Sequence, residues 1–297
     1  MTIAKDKDHI GIVGLGIMGG AFARNLVGSG WKVIGFDVSK ERCVELAANG
    51  VTIAACAADV AAEAPVIMTS LPSAKALDAV AAEIAGVKGR KIVLEMSTFP
   101  LDDKLRFEKT LAGAGHIAID CPVSGTGAQA ATKDLVLYPS GDSKAIAGLA
   151  EMFAGFTRGY YDVGAYGNGS RMKFIANHLV AIHNVASAEA MILAEKAGLD
   201  LATVVKCIGN GAGTSRMFEM RAPLMVDHSY KPATMKMSIW QKDMDTIGAF
   251  ARGLGVATPL FDATRPIYDQ GLAEGRQDED TAAVFAVMGG KGKTGKG

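Results

Sequence analysis

Short apolar runs alternate with amphipathic stretches through the first half of the chain. His9-Ile10-Gly11-Ile12-Val13 has the pattern of a buried strand, and it runs into Gly14-Leu15-Gly16-Ile17-Met18-Gly19 and then a helical pattern over 21–27. A second strand over 32–36 ends at Asp37. Further strands are predicted over 52–54, 66–69, 91–94, 117–119, 135–138 and 160–162. Helical patterns fill most of the gaps, including 39–49, 74–84 and 102–114. Alternation of this kind predicts an α/β fold built on a parallel, doubly wound Rossmann-type sheet.

After about Gly164 the strand signal stops. Residues 170–196 form one apolar-rich segment with no Pro and no Gly, closed by Gly198. Its 27 residues would make a helix of about 40 Å at ~1.5 Å per residue. The rest of the chain to Met288 reads as shorter helices, so an all-α C-terminal domain joined by a long helix is predicted. The expected division is a nucleotide domain over 1–165, a helical substrate and oligomerisation domain over 166–288, and a Gly/Lys-rich flexible tail over 289–297.

Composition narrows the partners. The 297 residues carry 31 Lys+Arg against 31 Asp+Glu, a formal charge of zero that argues against broad electrostatic binding to nucleic acid. Apolar runs are broken by charge well before the ~20 residues of a membrane span. The first eight residues mix both signs of charge without an apolar run and are read as containing no signal peptide. Cys43, Cys56, Cys121 and Cys207 form no CxxC pair, which disfavours a zinc ribbon or redox pair and fits a reducing, cytoplasmic compartment. Cys121 is better read as a small space-filling residue than as a nucleophile. His178 and His183 are five apart, no HExxH occurs, and no metal site is predicted.

Gly14-x-Gly16-x-x-Gly19 would be a weak signal alone. Here a strand precedes it, a helix follows it, and an acid closes the next strand. Gly14 permits the tight turn, Gly16 lets backbone N–H groups approach a pyrophosphate, and Gly19 lets the helix pack closely on the strand. Leu15, Ile17 and Met18 complete the loop at the helix N-terminus, whose partial positive charge favours phosphates. Asp37, 18 positions after Gly19, suits the adenosine ribose hydroxyls and repels a 2′-phosphate. The expected cofactor is NAD, with NADP kept open by Lys40 and Arg42. Leu71, Pro72 and Thr98 follow later strands and are expected on the cofactor rim, although Ser73 and Thr98 can equally be helix caps.

Two further segments carry chemistry. Ser124-Gly125-Thr126 offers a hydroxyl and backbone N–H groups to a carboxylate, or is only a Gly-rich turn. Lys173 and Asn177 stand four apart on the long helix, on one face, after a hinge-like Gly167-Asn168-Gly169. A lysine amine can act as general acid or base on a substrate oxygen if burial or a nearby cation brings its ordinary pKa of ~10.4 toward neutrality. Lys242 lies in a helical context over 239–250 and is a candidate for reaching cofactor or substrate.

Taken together, the run from Gly11 to Gly19 with Asn25-Leu26, Asp120-Cys121-Pro122-Val123-Ser124-Gly125, the run from Gly167 to Asn177, and Lys242-Asp243 resemble the β-hydroxyacid dehydrogenases. That group contains 3-hydroxyisobutyrate dehydrogenase, tartronate semialdehyde reductase and, more distantly, 6-phosphogluconate dehydrogenase. The resemblance covers nearly the whole chain. It implies that Lys173 is catalytic with Asn177 beside it and that Ser124 and Gly125 form the substrate-carboxylate loop. It also implies that Thr98 and Lys242 contact cofactor and substrate, and that the protein is a homodimer or homotetramer. Two departures stand out: Thr126 occupies a usual glycine, and Met244-Asp245-Thr246 is more polar than the family's apolar run. A lysine at 173 argues against the related imine reductases.

The expected activity is NAD-dependent oxidation of a small 3-hydroxy acid to its semialdehyde or keto acid, or the reverse. A competing reading is an NADPH-dependent semialdehyde or glyoxylate reductase. A third, of another class, is a non-catalytic NAD-sensing or partner-binding protein on the same fold.

Overall fold

The computed structural model describes residues 3, 5 and 8–291. The readings of the extreme N-terminus and of the tail from 292 onward lie outside the described residues. The chain divides into two compact units, Met1–Lys173 and Phe174–Gly297. The dividing point falls inside the long helix, some eight residues beyond the boundary expected at 165.

In the first unit, β1 (His9–Val13), α1 (Ile17–Gly28), β2 (Lys32–Phe36), α2 (Lys40–Ala47), β3 (Thr52–Ile53), α3 (Ala57–Glu63), β4 (Val66–Thr69), α4 (Ala74–Ala85), β5 (Ile92–Glu95), α5 (Leu101–Gly113) and β6 (Ile117–Asp120) alternate as predicted. All six strands pair in parallel in the order β3-β2-β1-β4-β5-β6, the doubly wound order in which the connection reverses between β1 and β4. β1, β4 and β5 are buried along almost their whole length, which is why they read as continuous apolar runs rather than alternating ones.

The predicted strands over 135–138 and 160–162 do not join this sheet. They shorten to β8 (Val136–Leu137) and β9 (Gly159–Tyr160), and with β7 (Val123–Ser124) they form a separate three-stranded sheet in which β7 and β8 run antiparallel. Tight turns and the short helices α6 (Gly127–Ala131), α7 (Ser143–Ala147) and α8 (Ala150–Phe156) separate them, shorter than the roughly 11 residues over which helical periodicity is read. One face of the main sheet packs Phe22 and Leu26 of α1 against Phe153 and Phe156 of α8, with the Phe22 and Phe156 rings 5.2 Å apart. The other face is covered by α3, α4 and α5.

α9 (Asn168–Lys196) begins two residues earlier than predicted and ends at the predicted lysine, with Gly198 at φ +77° beyond it. α10 (Leu201–Gly209), α11 (Arg216–Val226), α12 (Met237–Gly253), α13 (Pro259–Ala273) and α14 (Val284–Val287) follow, and no described strand lies among them. The second unit has its own apolar core around Phe218, Met225, Trp240, Phe261, Tyr268 and Phe285. Among the described residues, no helix is long and apolar enough to cross a membrane.

The α1–α8 core predicts a stability effect. Phe22 is fully buried, so Phe22→Ala should cost about 3–5 kcal/mol, read as a lowered urea midpoint. A midpoint equal to wild type would contradict the packing described.

Candidate active site

In an open parallel sheet, ligands lie beyond the carboxyl ends of the strands. At that edge of the first unit, α1 starts after Gly16 with no side-chain cap and no acid in its first turn. Its first amides and its positive dipole end therefore face outward from the loop. A Cβ on Gly14, which has φ +92°, would lie 2.1 Å from Ser70 O, and one on Gly19 would lie 1.9 Å from Gly14 O. Only glycine fits either place. A Cβ on Gly16 would meet nothing within 4 Å. The loop is thus closed behind and open in front, the shape a dinucleotide pyrophosphate needs.

Asp37 immediately follows β2. Leu15 N donates to its Oδ2 at 2.6 Å and Ser39 N to its Oδ1 at 2.8 Å, so the carboxylate ties the glycine loop to the end of β2. It is not the cap of α2; Ser39 is, accepting from Arg42 N. A carboxylate has about four acceptor positions, so two amides leave capacity for ribose hydroxyls. Arg42, the nearest guanidinium in sequence, pairs with Glu45 at 2.9 Å, and Arg24 reaches the same carboxylate at 3.1 Å.

The loops after β4 and β5 are joined through Ser97, a residue the sequence reading passed over. Leu71 N donates to Ser97 Oγ at 2.8 Å and Ser97 N to Glu95 Oε1 at 3.0 Å. This brings the half-buried Leu71 and Thr98 into one connected rim, with Pro72 exposed beside them. Ser73 caps α4 as expected, but α5 starts after Pro100, so Thr98 is not a cap. A Ser-Thr pair two residues past a buried strand, in the loop before α5, was the available signal for Ser97.

Beyond β6 lies a fully buried ionic lattice. Lys104, Glu95 and Asp120 are each 0 % exposed. Lys104 Nζ bonds Glu95 Oε2, Asp120 Oδ1 at 3.0 Å and Ser97 O at 2.7 Å. Burial alone would push the Lys104 ammonium down, but Asp120 and Glu95 outweigh it and hold its pKa above the ordinary lysine range. Burial pushes the Glu95 carboxyl up, against the pull of Lys104. Asp120 takes Ser170 N at 2.7 Å on Oδ2 and Ser170 Oγ at 2.9 Å on Oδ1. Cys121, beside it, is fully buried and its thiol is driven well up by burial, which suits a packing residue and not a nucleophile.

Ser124, Gly125 and Thr126 follow on the same edge, all half-buried. Thr126 begins α6 with a capping box: Gln129 N donates to its Oγ1, and its own N–H donates to Gln129 Oε1 at 3.0 Å. That amide, expected to face a substrate oxygen, is engaged by Gln129.

Lys173 is half-buried on the first turns of α9. The entry to α9 is pinned and not hinge-like: Asn168 Nδ2 donates to Val163 O at 2.8 Å and Gly169 N to Ser140 Oγ at 2.9 Å. Within the second unit, Asn177 is buried and its Nδ2 donates to the buried Asp243 Oδ2 at 3.0 Å. Asp243, not singled out as a site residue in the sequence, is therefore the group that orients Asn177. Lys242 is exposed on α12. His178 stacks on Phe261 with ring centroids 5.1 Å apart. Among the described residues no group of three or more His, Cys, Asp or Glu is arranged to hold a metal ion.

Comparison with known proteins agrees with this geometry. Residues 9–165 match the family model of the NAD binding domain of 6-phosphogluconate dehydrogenase, and residues 167–288 that of the NAD-binding domain of NADP-dependent 3-hydroxyisobutyrate dehydrogenase. The chain is 31% identical over 288 residues to L-threonate dehydrogenase of Escherichia coli K12, covering 95% of each chain. It is 29% identical to glyoxylate/succinic semialdehyde reductase 1 of Arabidopsis thaliana, covering 94% of this chain and 98% of the relative. A structure of Mycobacterium tuberculosis 3-hydroxyisobutyrate dehydrogenase with L-serine superposes with a TM-score of 0.86 at 26% identity, covering 95% of this chain and 99% of that one. The chain belongs to the β-hydroxyacid dehydrogenase family, whose members are NAD(P)-dependent oxidoreductases acting on CH–OH groups.

The glycine loop predicts a binding defect. Gly19→Ala forces its Cβ against Gly14 O, and backbone strain of about 1–3 kcal/mol should raise the NAD dissociation constant roughly ten- to hundredfold. Fluorescence titration with NAD measures this; wild-type affinity would contradict the role of the loop.

Proposed function

We propose that this enzyme uses NAD to oxidise a small 3-hydroxy acid to its semialdehyde or keto acid, and catalyses the same step in reverse. The observation that carries the reading is the seat of Lys173, a half-buried lysine one helical turn after Ser170, whose amide and hydroxyl are both held by the strand-end carboxylate of Asp120. A nicotinamide, when bound, supplies the two-electron acceptor for the carbon that bears the hydroxyl. Lys173 takes the proton from that hydroxyl in oxidation and returns it to the carbonyl oxygen in reduction.

Asn177 supports the proton transfer. With its Nδ2 committed to Asp243, its Oδ1 is left to accept a hydrogen bond from an ammonium or a hydroxyl. The Ser124 hydroxyl and Gly125 N–H hold the substrate carboxylate, with the Thr126 side chain limiting room beside them. Thr98 and Lys242 contact cofactor and substrate, and Leu71 and Pro72 line the cofactor rim. The half-filled carboxylate of Asp37, together with the pairing of Arg42 to Glu45, supports NAD over NADP. Exposed Ile175, Leu179 and Leu260 support a homodimer or homotetramer, and four free cysteines support a reducing, cytoplasmic setting.

The Escherichia coli relative makes L-threonate the first acid to try in a panel of three- to six-carbon hydroxy acids. The Arabidopsis relative favours a second reading, net reduction of glyoxylate or a semialdehyde. kcat/KM measured in both directions separates the two.

Two outcomes test the proposal. Lys173→Ala should abolish turnover while leaving the NAD dissociation constant within about twofold; full activity would sink the mechanism. Wild-type enzyme should prefer NAD to NADP in kcat/KM. Since a hydrogen bond to a charged group contributes about 1.5–3 kcal/mol, Asp37→Asn should erode that preference by roughly tenfold or more. An unchanged cofactor ratio would remove Asp37 from the specificity argument.

A further inference from the structure

We propose that the buried lattice of Lys104, Glu95 and Asp120 is a positioning device. Through Ser170 it fixes the first turn of α9, and with it the place of Lys173. The inference rests on the reading of Lys173 as the proton-transfer group.

A buried ion pair is weak evidence for stability, because apolar residues of similar volume usually serve a core as well or better. What such a lattice supplies is direction. Lys104 Nζ is a point cation held by two carboxylates and by the carbonyl of Ser97, all inside the fold. Its two branches go to different functional segments. One branch, through Ser97, holds the rim that carries Leu71 and Thr98. The other, through Asp120, ends on the amide and hydroxyl of Ser170. One ammonium thus sets the cofactor rim and the start of α9 in a common frame.

The seat of α9 leaves little freedom. A Cβ on Gly169 would lie 2.3 Å from Tyr138 O and 2.8 Å from Asp120 O, so helix backbone rests directly on strand-end backbone. Gly169 N donates to Ser140 Oγ, and Ser140 Oγ donates in turn to Asp120 O at 3.3 Å. Tyr166, just before the helix, donates its hydroxyl to Lys104 O at 3.0 Å. The negative carboxylate of Asp120 also faces the positive end of a 29-residue helix. Lys173 follows Ser170 by three residues, on the adjoining turn of the same helix face, so a shift of that turn moves the lysine with it.

The test uses the full chain and the variants Ser170→Ala and Lys104→Met. Ser170→Ala keeps the hydrogen bond from the backbone N–H to Asp120 and removes only the one from the hydroxyl. Three quantities are read: amide hydrogen exchange over 169–174, the acetylation rate of Lys173 relative to the exposed Lys196, and kcat per NAD-binding site on the best acid of the panel. In Ser170→Ala, exchange over 169–174 should quicken about tenfold while the β1–β6 sheet keeps its protection. Relative Lys173 acetylation should change severalfold. Because small misplacements of a reacting group are costly, kcat per site should fall roughly tenfold with the NAD dissociation constant unchanged. Lys104→Met should act in the same direction; if it fails to fold, Ser170→Ala decides alone. Unchanged exchange would overturn the proposal. So would faster exchange that leaves both Lys173 acetylation and kcat per site untouched. If wild type turns over no acid in the panel, the reading of the activity fails, and exchange with acetylation still decides this inference.

Discussion

Backbone amides donated to carboxylates at the carboxyl edge of the parallel sheet hold the glycine loop, the Ser97 rim and the start of α9. Each loop that leaves a parallel strand there carries N–H groups the sheet no longer satisfies, and burial makes an unpaired one expensive. Asp37 takes two of them at the end of β2, Glu95 one at the end of β5, and Asp120 one at the end of β6. The same three carboxylates thereby fix the glycine loop, the Ser97 rim and the start of α9. Two of them are fully buried and depend on Lys104 for compensation. The edge that must be satisfied for the fold to close is the edge at which the proposed chemistry would be assembled.

Function then follows from where positive character is concentrated. A chain of zero net charge has no general attraction for anions. In the proposed reading, uncapped amides at α1, a serine hydroxyl beside a glycine, and lysines at chosen positions supply it locally. In the proposed reading Asp37 works in the opposite sense, accepting ribose hydroxyls and repelling an added phosphate. Recognition by a few fixed donors leaves family members free to differ in substrate. Thr126, at a position where the resemblance implies glycine, starts α6 with a capping box and an occupied amide.

Much of this was legible in the sequence because it is local. The glycine spacing, the acid after β2 and the uninterrupted helix ending at Lys196 are properties of short segments, and the structure has them at those residues. The three-stranded sheet was misread as part of the main one because two-residue strands carry no periodicity. Ser97 was passed over, and Asp243 was seen only as part of the Lys242-Asp243 motif, because their partners, Leu71 and Asn177, are far away in sequence. Lys104 did leave a trace. It shares the buried face of α5 with Phe107 and Leu111 at spacings of three and four, where a solvated lysine does not belong. Its meaning still required Glu95 and Asp120, which only the sheet brings to it.

The central claim is that the Lys173 amine moves the proton while a nicotinamide takes the electrons. Chemical rescue tests it most directly: Lys173→Ala is assayed with NAD and the wild-type acid while methylamine or ethylamine is added. The account predicts an inactive variant whose turnover rises with free-amine concentration, with no such rise in the wild type. Turnover by Lys173→Ala at the wild-type rate without added amine would contradict it.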